Sequence, residues 1–270
     1  MKNGRDCRKY NRLNCSIFFA FFAKKERYTE KITFSEGDDP MVKRLLAGLS
    51  GLFFPARCPY CGNVMDAKAL SCNDCKILLR RIDRPVCTVC NIEIESYHRT
   101  CNGFPCAVPF SYQGVVRKAL LNFKFHQKVS YARPFAGEIA ALLRRFSWEK
   151  EIDLITFVPM WPQKERTRGY NQAAVLAKTL AREIGSSCVP LLKKLYDNGI
   201  QHSLTAVQRR KNVKGAFGLL QAETVNDKVI LLCDDVMTTG ATLQECASLL
   251  YKNGAKKVYC AAIAHREVVS

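Results

Sequence analysis

The sequence predicts an α/β protein, a parallel sheet flanked by helices, with a small cysteine-rich module before it. Three observations carry that reading. The apolar run at 229–232 has the length and composition of a strand buried on both faces. It leads through two aspartates and a threonine-glycine turn into Leu243, Cys246, Ala247 and Leu250, one apolar face of a helix. The chain holds 14 cysteines; ten stand before residue 110, and six of those are in three CxxC pairs.

Composition bounds the function. In 270 residues, 42 Lys and Arg stand against 24 Asp and Glu, a net charge of +18. That excess predicts polyanionic partners, nucleic acid or phosphorylated substrates. From residue 111 onward the balance is 24 against 13, so the basicity is not mainly a property of the cysteine-rich part. The apolar stretch at 17–23 is followed directly by Lys24, Lys25 and Glu26. It lacks a small-residue cleavage site and is too short to span a bilayer. A cytoplasmic protein with no membrane span is expected. Thiols kept reduced there and clustered in pairs argue for metal.

Residues 1–40 fit nothing downstream, and an amphipathic pattern with Leu45, Leu49, Leu52 and Phe53 begins at Met41. Met41 rather than Met1 is therefore the expected start, with 1–40 a disordered extension or an artefact. Cys58-Pro-Tyr-Cys61-Gly62 and Cys72-Asn-Asp-Cys75 follow. Two such knuckles bring four thiolates to one tetrahedral Zn²⁺ and leave no open position for catalysis. A second set, Cys87, Cys90, Cys101 and Cys106, suggests a second zinc. His98 is an alternative ligand there, and Cys101 or Cys106 could equally be a buried core thiol.

From about Phe110 the composition changes. Helices are expected at 114–125 and 132–146, and a buried strand at 153–158 that ends at Pro159. A basic, glycine-containing loop follows, with Lys164, Arg166 and Arg168, at the strand end where α/β proteins bind ligands. Three cations there suit a diphosphate. A helix with Ala173, Ala177, Leu180 and Ile184 facing the core comes next, then a strand at 188–192. The long polar stretch 193–218, with Gln201, Leu204, Arg209 and Arg210, reads as a lid. The last strand is expected at 257–264, after the turn at Asn253 and Gly254.

The stretch 229–243 holds the chemistry. Asp234 and Asp235 stand at the strand end, and Val236, Met237, Thr238, Thr239, Gly240, Ala241 and Thr242 lead into the helix. Backbone N–H groups and the helix dipole converge there, and threonine hydroxyls add donors, so the turn suits a phosphate. Carboxylates just before it suit ribose hydroxyls. Neither a Walker lysine nor the dinucleotide glycine pattern is present. The stretch resembles the phosphoribosyl pyrophosphate (PRPP) motif of type I phosphoribosyltransferases.

With CPYCG…CNDC, VPMWPQKERTRGYNQ, QHSLTAVQRRKNVKGAF and ILLCDDVMTTGAT in this order, the chain from about Met41 resembles the ComF family of competence-associated proteins. The resemblance implies a helix and single or double zinc ribbon over 41–109 and a type I phosphoribosyltransferase-like domain over 110–270. It implies PRPP binding with Mg²⁺ and a role in the uptake or handling of single-stranded DNA during natural transformation. A competence helicase or DNA-processing protein would be a further partner. The alternative is a working phosphoribosyltransferase, amidophosphoribosyltransferase-like or of base salvage type. In that reading Asp234 and Asp235 hold the ribose hydroxyls and Lys164, Arg166 and Arg168 meet the diphosphate. Arg209 closes over it, and the acceptor is unknown.

Overall fold

The computed structural model describes residues 55–94, 101–197, 208 and 212–266. The expected helix from residue 41, His98, and the lid residues Gln201, Leu204, Arg209 and Arg210 lie outside them. All that follows concerns the compact unit Ala56–Ser270.

The first ribbon contributes α1 (Asn73–Leu78), which starts at Cys72, where the sulfur accepts from the Cys75 N–H. Then come β1 (Val86–Cys87), β2 (Pro105–Ala107) and β3 (Phe110–Ser111). In α2 (Gly114–Phe125) the stripe Val116, Ala119, Leu120 and Phe123 is buried, the helical spacing its sequence carries. The next helix, α3 (Ala132–Arg145), is covered almost all round.

The strand β4 (Leu154–Phe157) leads to α4 (Pro162–Arg168). The sequence led us to expect a loop there. Pro162 sits in the first turn, where it costs no hydrogen bond, and Gly169 closes the helix at φ 89°. The density of charge hid that helical start and stop. Asn171 caps α5 (Gln172–Ile184) by accepting from the N–H groups of Ala173 and Ala174.

The strand expected at 188–192 is two pieces, β5 (Ser187–Cys188) and β6 (Leu192–Lys194). Pro190, between them, has no N–H to give to a ladder. The antiparallel partner of β6 is β7 (Phe217–Leu219), so the two ends of the expected lid are clamped together. The central motif gives β8 (Val229–Cys233), β9 (Val236–Met237) and α6 (Ala241–Lys252). The last expected strand divides into β10 (Lys257–Ala261) and β11 (Ala264–His265), which belong to different sheets.

Among the described residues the main sheet runs β1-β2-β10-β8-β4-β5 and is parallel except for the β1–β2 pair. A smaller parallel sheet, β3-β11-β9, extends beyond its carboxyl end. Both faces of the main sheet are covered. Val229, Leu231 and Cys233 pack with residues of α2, α3 and α5, whereas Ile230 and Leu232 pack with Leu243, Cys246, Ala247 and Leu250 of α6. Strand alternation thus feeds two cores from one strand.

The first ribbon is part of the first core. Cys58, Tyr60 and Cys75 are buried in it, and the Tyr60 ring stands edge-on to Phe110 and Phe135, 6.0 and 6.1 Å between centroids. Arg81 places its guanidinium over the Phe110 ring, 5.4 Å from its centre, and pairs with the buried Glu138 at 2.8 Å. Phe110→Ala should therefore cost about 3–5 kcal/mol. A denaturant titration should give a lower midpoint at unchanged slope; a midpoint within error of the native chain would show that Phe110 does not join ribbon to sheet.

Candidate active site and zinc centres

The sulfurs of Cys58, Cys61, Cys72 and Cys75 all lie within 4.8 Å of one another. Cys61 and Cys72 are 3.6 Å apart, close to the edge of about 3.8 Å that four Zn–S bonds of ~2.3 Å set in a tetrahedron. A disulfide would need about 2.05 Å. The backbone also favours a thiolate at Cys58. Burial works against ionising Cys58, but N–H donors from Cys72, Tyr60 and Cys61 outweigh it and bring the pKa down to about 7. Four soft donors on two tight turns fit zinc.

The second set is built alike. Cys87, Cys90 and Cys101 gather, with Cys101 3.2 Å from Cys87 and 3.8 Å from Cys90. In the first knuckle Gly62 donates to the Cys58 carbonyl at 2.8 Å with φ 84°; in the second, Asn91 donates to the Cys87 carbonyl at 3.0 Å with φ 59°. Asn91 thus takes the left-handed position that glycine takes in the first. Cys106 stands apart. It lies in β2, fully buried and paired in register with Cys260, so of the two readings open for it the core thiol is the one the structure supports. A fourth ligand is not among the described residues.

At the carboxyl end of β8, Asp234 accepts from the Asp235 N–H at 2.8 Å. Burial first, and the charge of Asp235 second, push the Asp234 pKa up to about 7. Asp235 is paired with Lys124 at 3.0 Å. Burial opposes the charge on Lys124, but Asp235 more than offsets it and holds that pKa up. Val236 and Met237 are strand residues paired with Ala264 and His265, and Met237 is buried. The turn proper is Thr238–Gly240, and α6 begins at Ala241. The hydroxyl of the buried Thr239 accepts from the Ala241 N–H at 3.5 Å.

Lys124 is the residue the sequence reading missed. It joins the carboxylates to an open cleft of about 570 Å³ that it lines with Phe125, Gln127, Lys164, Thr167, Arg168 and Asp197, among others. The signal was present in the periodicity: 124 follows Val116 and Leu120 at steps of four, so this lysine stands on the apolar face of α2. Of the three expected cations, Lys164 pairs with Asp197 at 2.5 Å. Arg168 donates to Gln172 at 3.0 Å and lies 5.3 Å from the Phe125 ring centre, and Arg166 is exposed and does not line the cleft. The rest of that motif braces the cleft. The Tyr170 hydroxyl donates to the Phe123 carbonyl, Asn171 to that of Val158 at 3.0 Å and Gln172 to that of Lys124 at 3.3 Å.

A threonine-glycine turn, a carboxylate pair and a cationic cleft at the carboxyl end of a parallel sheet, behind a cysteine ribbon, define the class: a zinc-ribbon protein with a phosphoribosyltransferase domain. The comparisons agree. Residues 171–268 match the Phosphoribosyl transferase domain family and residues 49–104 the Double zinc ribbon domain family. The chain is 29% identical over 222 residues to Competence protein F of Haemophilus influenzae, covering 76% of this chain and 95% of that one. It is 31% identical over 191 residues to the DNA utilization protein YhgH of Escherichia coli K12, covering 66% and 83%. Identity to Competence protein ComFC of Bacillus subtilis is 25% over 201 residues, covering 73% and 72%. The chain belongs to the ComF family. No helix among the described residues is long and apolar enough to cross a membrane.

The zinc geometry can be tested directly. Cys58→Ser should release metal and lower the melting temperature, because structural zinc binding is coupled to folding. Elemental analysis that finds no zinc in freshly prepared, reduced native protein would overturn the metal reading.

Proposed function

We propose that this chain binds PRPP with Mg²⁺ and serves in the handling of single-stranded DNA in competence. The observation that carries the PRPP reading is the ion pair of Asp235, next to Asp234 and just before the 238–242 turn, with Lys124, which lines the cleft with Lys164 and Arg168. In this reading the carboxylates accept from the ribose hydroxyls. The backbone N–H groups of the turn and the hydroxyls of Thr238 and Thr242 hold the 5′-phosphate. Lys124, Lys164 and Arg168 face the diphosphate, Arg166 adds charge from the exposed side of α4, and Arg209, outside the described residues, is assigned to the same diphosphate. Mg²⁺ suits carboxylate and phosphate oxygens together.

The DNA reading rests on the relatives, which are named for competence and DNA utilization, and on the net charge of +18. We place the ribbon module in 41–109, the phosphoribosyltransferase domain in 110–270, a zinc in each cysteine set, and the protein in the cytoplasm, where the thiols stay reduced.

Asp234→Asn with Asp235→Asn should abolish measurable PRPP binding in calorimetry with the fold intact. Each lost charged acceptor is worth roughly 1.5–3 kcal/mol, about 10- to 100-fold. The native affinity should rise as pH passes upward through about 7, where Asp234 loses its proton, and Asp234→Asn should flatten that rise. Unchanged affinity in the double variant would refute the site.

Single-stranded DNA should bind with a steep salt dependence and compete with PRPP. Arg166→Glu with Arg168→Glu should weaken both ligands. Tight DNA binding indifferent to PRPP would place DNA elsewhere. The alternative is the cluster of Arg80, Arg81 and Arg84, in which Arg81 is held by Glu138 as Lys164 is by Asp197.

A further inference from the structure

The second cysteine knuckle does not stand clear of the phosphate turn; it is seated on it. The carbonyl of Thr88, between Cys87 and Cys90, occupies the space a Cβ on Gly240 would need. Gly240 has φ 71°, so both the backbone angle and the close approach demand glycine there. The buried Thr88 hydroxyl donates to Gln244 of α6 at 2.6 Å and accepts from the Phe104 N–H at 2.8 Å. Gln244 in turn donates to the Asn102 carbonyl at 2.8 Å, beside Cys101. The Asn91 amide, one residue past Cys90, donates to the Thr239 carbonyl at 3.4 Å, and its oxygen lies 3.3 Å from His265 Nε2. Each of the three gathered thiols thus has, one residue away, a group that holds the turn or the first turns of α6.

We propose that the second knuckle is a working part of the phosphate site: Thr88 and Asn91 are positioning residues for the 238–242 turn, and PRPP and the second zinc bind cooperatively. The inference rests on the PRPP reading above and on metal in the second set. With zinc bound, Cys87, Cys90 and Cys101 are drawn together and the loop carrying Thr88 and Asn91 is fixed. The Thr239 carbonyl and the Gly240 backbone are then fixed with it, so the N–H groups of the turn are already aimed when the phosphate arrives. Without metal the knuckle loses its centre, and ordering the turn is charged against PRPP binding. Linkage is reciprocal: if this zinc strengthens PRPP binding, PRPP strengthens retention of this zinc by the same factor. Among the described residues the first ribbon makes no such contact. Cys58 and Cys75 are buried in the core that holds Tyr60, Phe110 and Phe135, so its zinc is indifferent to PRPP.

Asn91 offers a clean test, because glycine holds the corresponding left-handed position, Gly62, in the first knuckle. Asn91→Gly keeps the conformation a knuckle needs and removes the arm that reaches Thr239 and His265. The zinc-loaded full chain is challenged with a chromophoric chelator, with and without Mg²⁺ and PRPP, and PRPP binding is measured on the same samples by calorimetry. In the native chain, PRPP should slow release of one zinc equivalent by about fivefold or more, in the range typical of coupled sites, and leave the other unchanged. Asn91→Gly should retain both zincs, lose most of that protection, and bind PRPP several-fold more weakly. Thr88→Val, which removes the hydroxyl from Gln244, should act in the same direction and serves if the first variant loses metal. Calorimetric PRPP binding with unchanged release of both equivalents, or equal slowing of both, overturns the coupling alone. No PRPP binding in the native chain overturns the proposed function and the coupling with it. A zinc content of one equivalent removes the metal from the second knuckle and ends the proposal.

Discussion

The five residues of β8 are apolar or thiol side chains and all are buried, so both faces of this strand must be taken from water. That requirement sets the rest of the architecture. A strand buried on two sides needs parallel neighbours and helical cover on each face. β10 and β4 supply the neighbours, α2, α3 and α5 one cover, and α6 the other. Parallel strands all release their chains at one edge, and polar groups collect there because the core cannot hold them. Asp234, the 238–242 turn and α4 stand at that edge for topological reasons before any chemical ones.

Two carboxylates in sequence at such an edge repel each other, and the structure manages this unequally. Asp235 has Lys124 at 3.0 Å, whereas Asp234, left with burial and a like charge, is pushed toward neutrality near pH 7. The pair is therefore managed in two ways: Asp235 is clamped by Lys124, and Asp234 is held near the point at which it gives up its proton. Lys124 can do this only because it stands on the apolar face of α2, where its ammonium is shielded and Asp235 is its principal anion. A lysine on the solvent face of the same helix would be screened and of little use.

Much of this was legible in the sequence. The strand-turn-helix of 229–250, both helices from 114 to 145 and the first zinc set could be read because periodicity and CxxC spacing are local signals. Three features were not. The basic stretch after Pro159 reads as a loop by charge density, but Pro162 and Gly169 bound a helix of seven residues. Cys106 has the spacing of a ligand, yet β2 needs it as a core residue beside Cys260, and only the pairing of strands far apart in sequence decides between the two. Lys124 was passed over because a lysine on an amphipathic helix is read as surface unless each position is checked against the stripe. For α4 and Lys124 the signals were local but hidden by charge; for Cys106 the deciding fact was tertiary.

The same holds for the junction of ribbon and domain. Read along the chain, the cysteine module and the phosphate turn are about 150 residues apart, and Thr88 and Gln244 are separated by 156. In the fold, Val86 and Cys87 form a strand of the main sheet, so the second knuckle begins inside it. A metal ligand at the end of a sheet strand has its backbone fixed by hydrogen bonds that owe nothing to the metal. Closing the knuckle over the turn then needs order in only the few residues around Thr88 and Asn91. A flexible tether would have to be ordered each time it met the turn, at a cost of about 1–2 kcal/mol per residue fixed. Fusion to the sheet meets that cost once, during folding, and leaves Gly240 with the Thr88 carbonyl where a side chain would otherwise be. The glycine of this turn is thus required twice over, by its own left-handed backbone and by the ribbon lying against it.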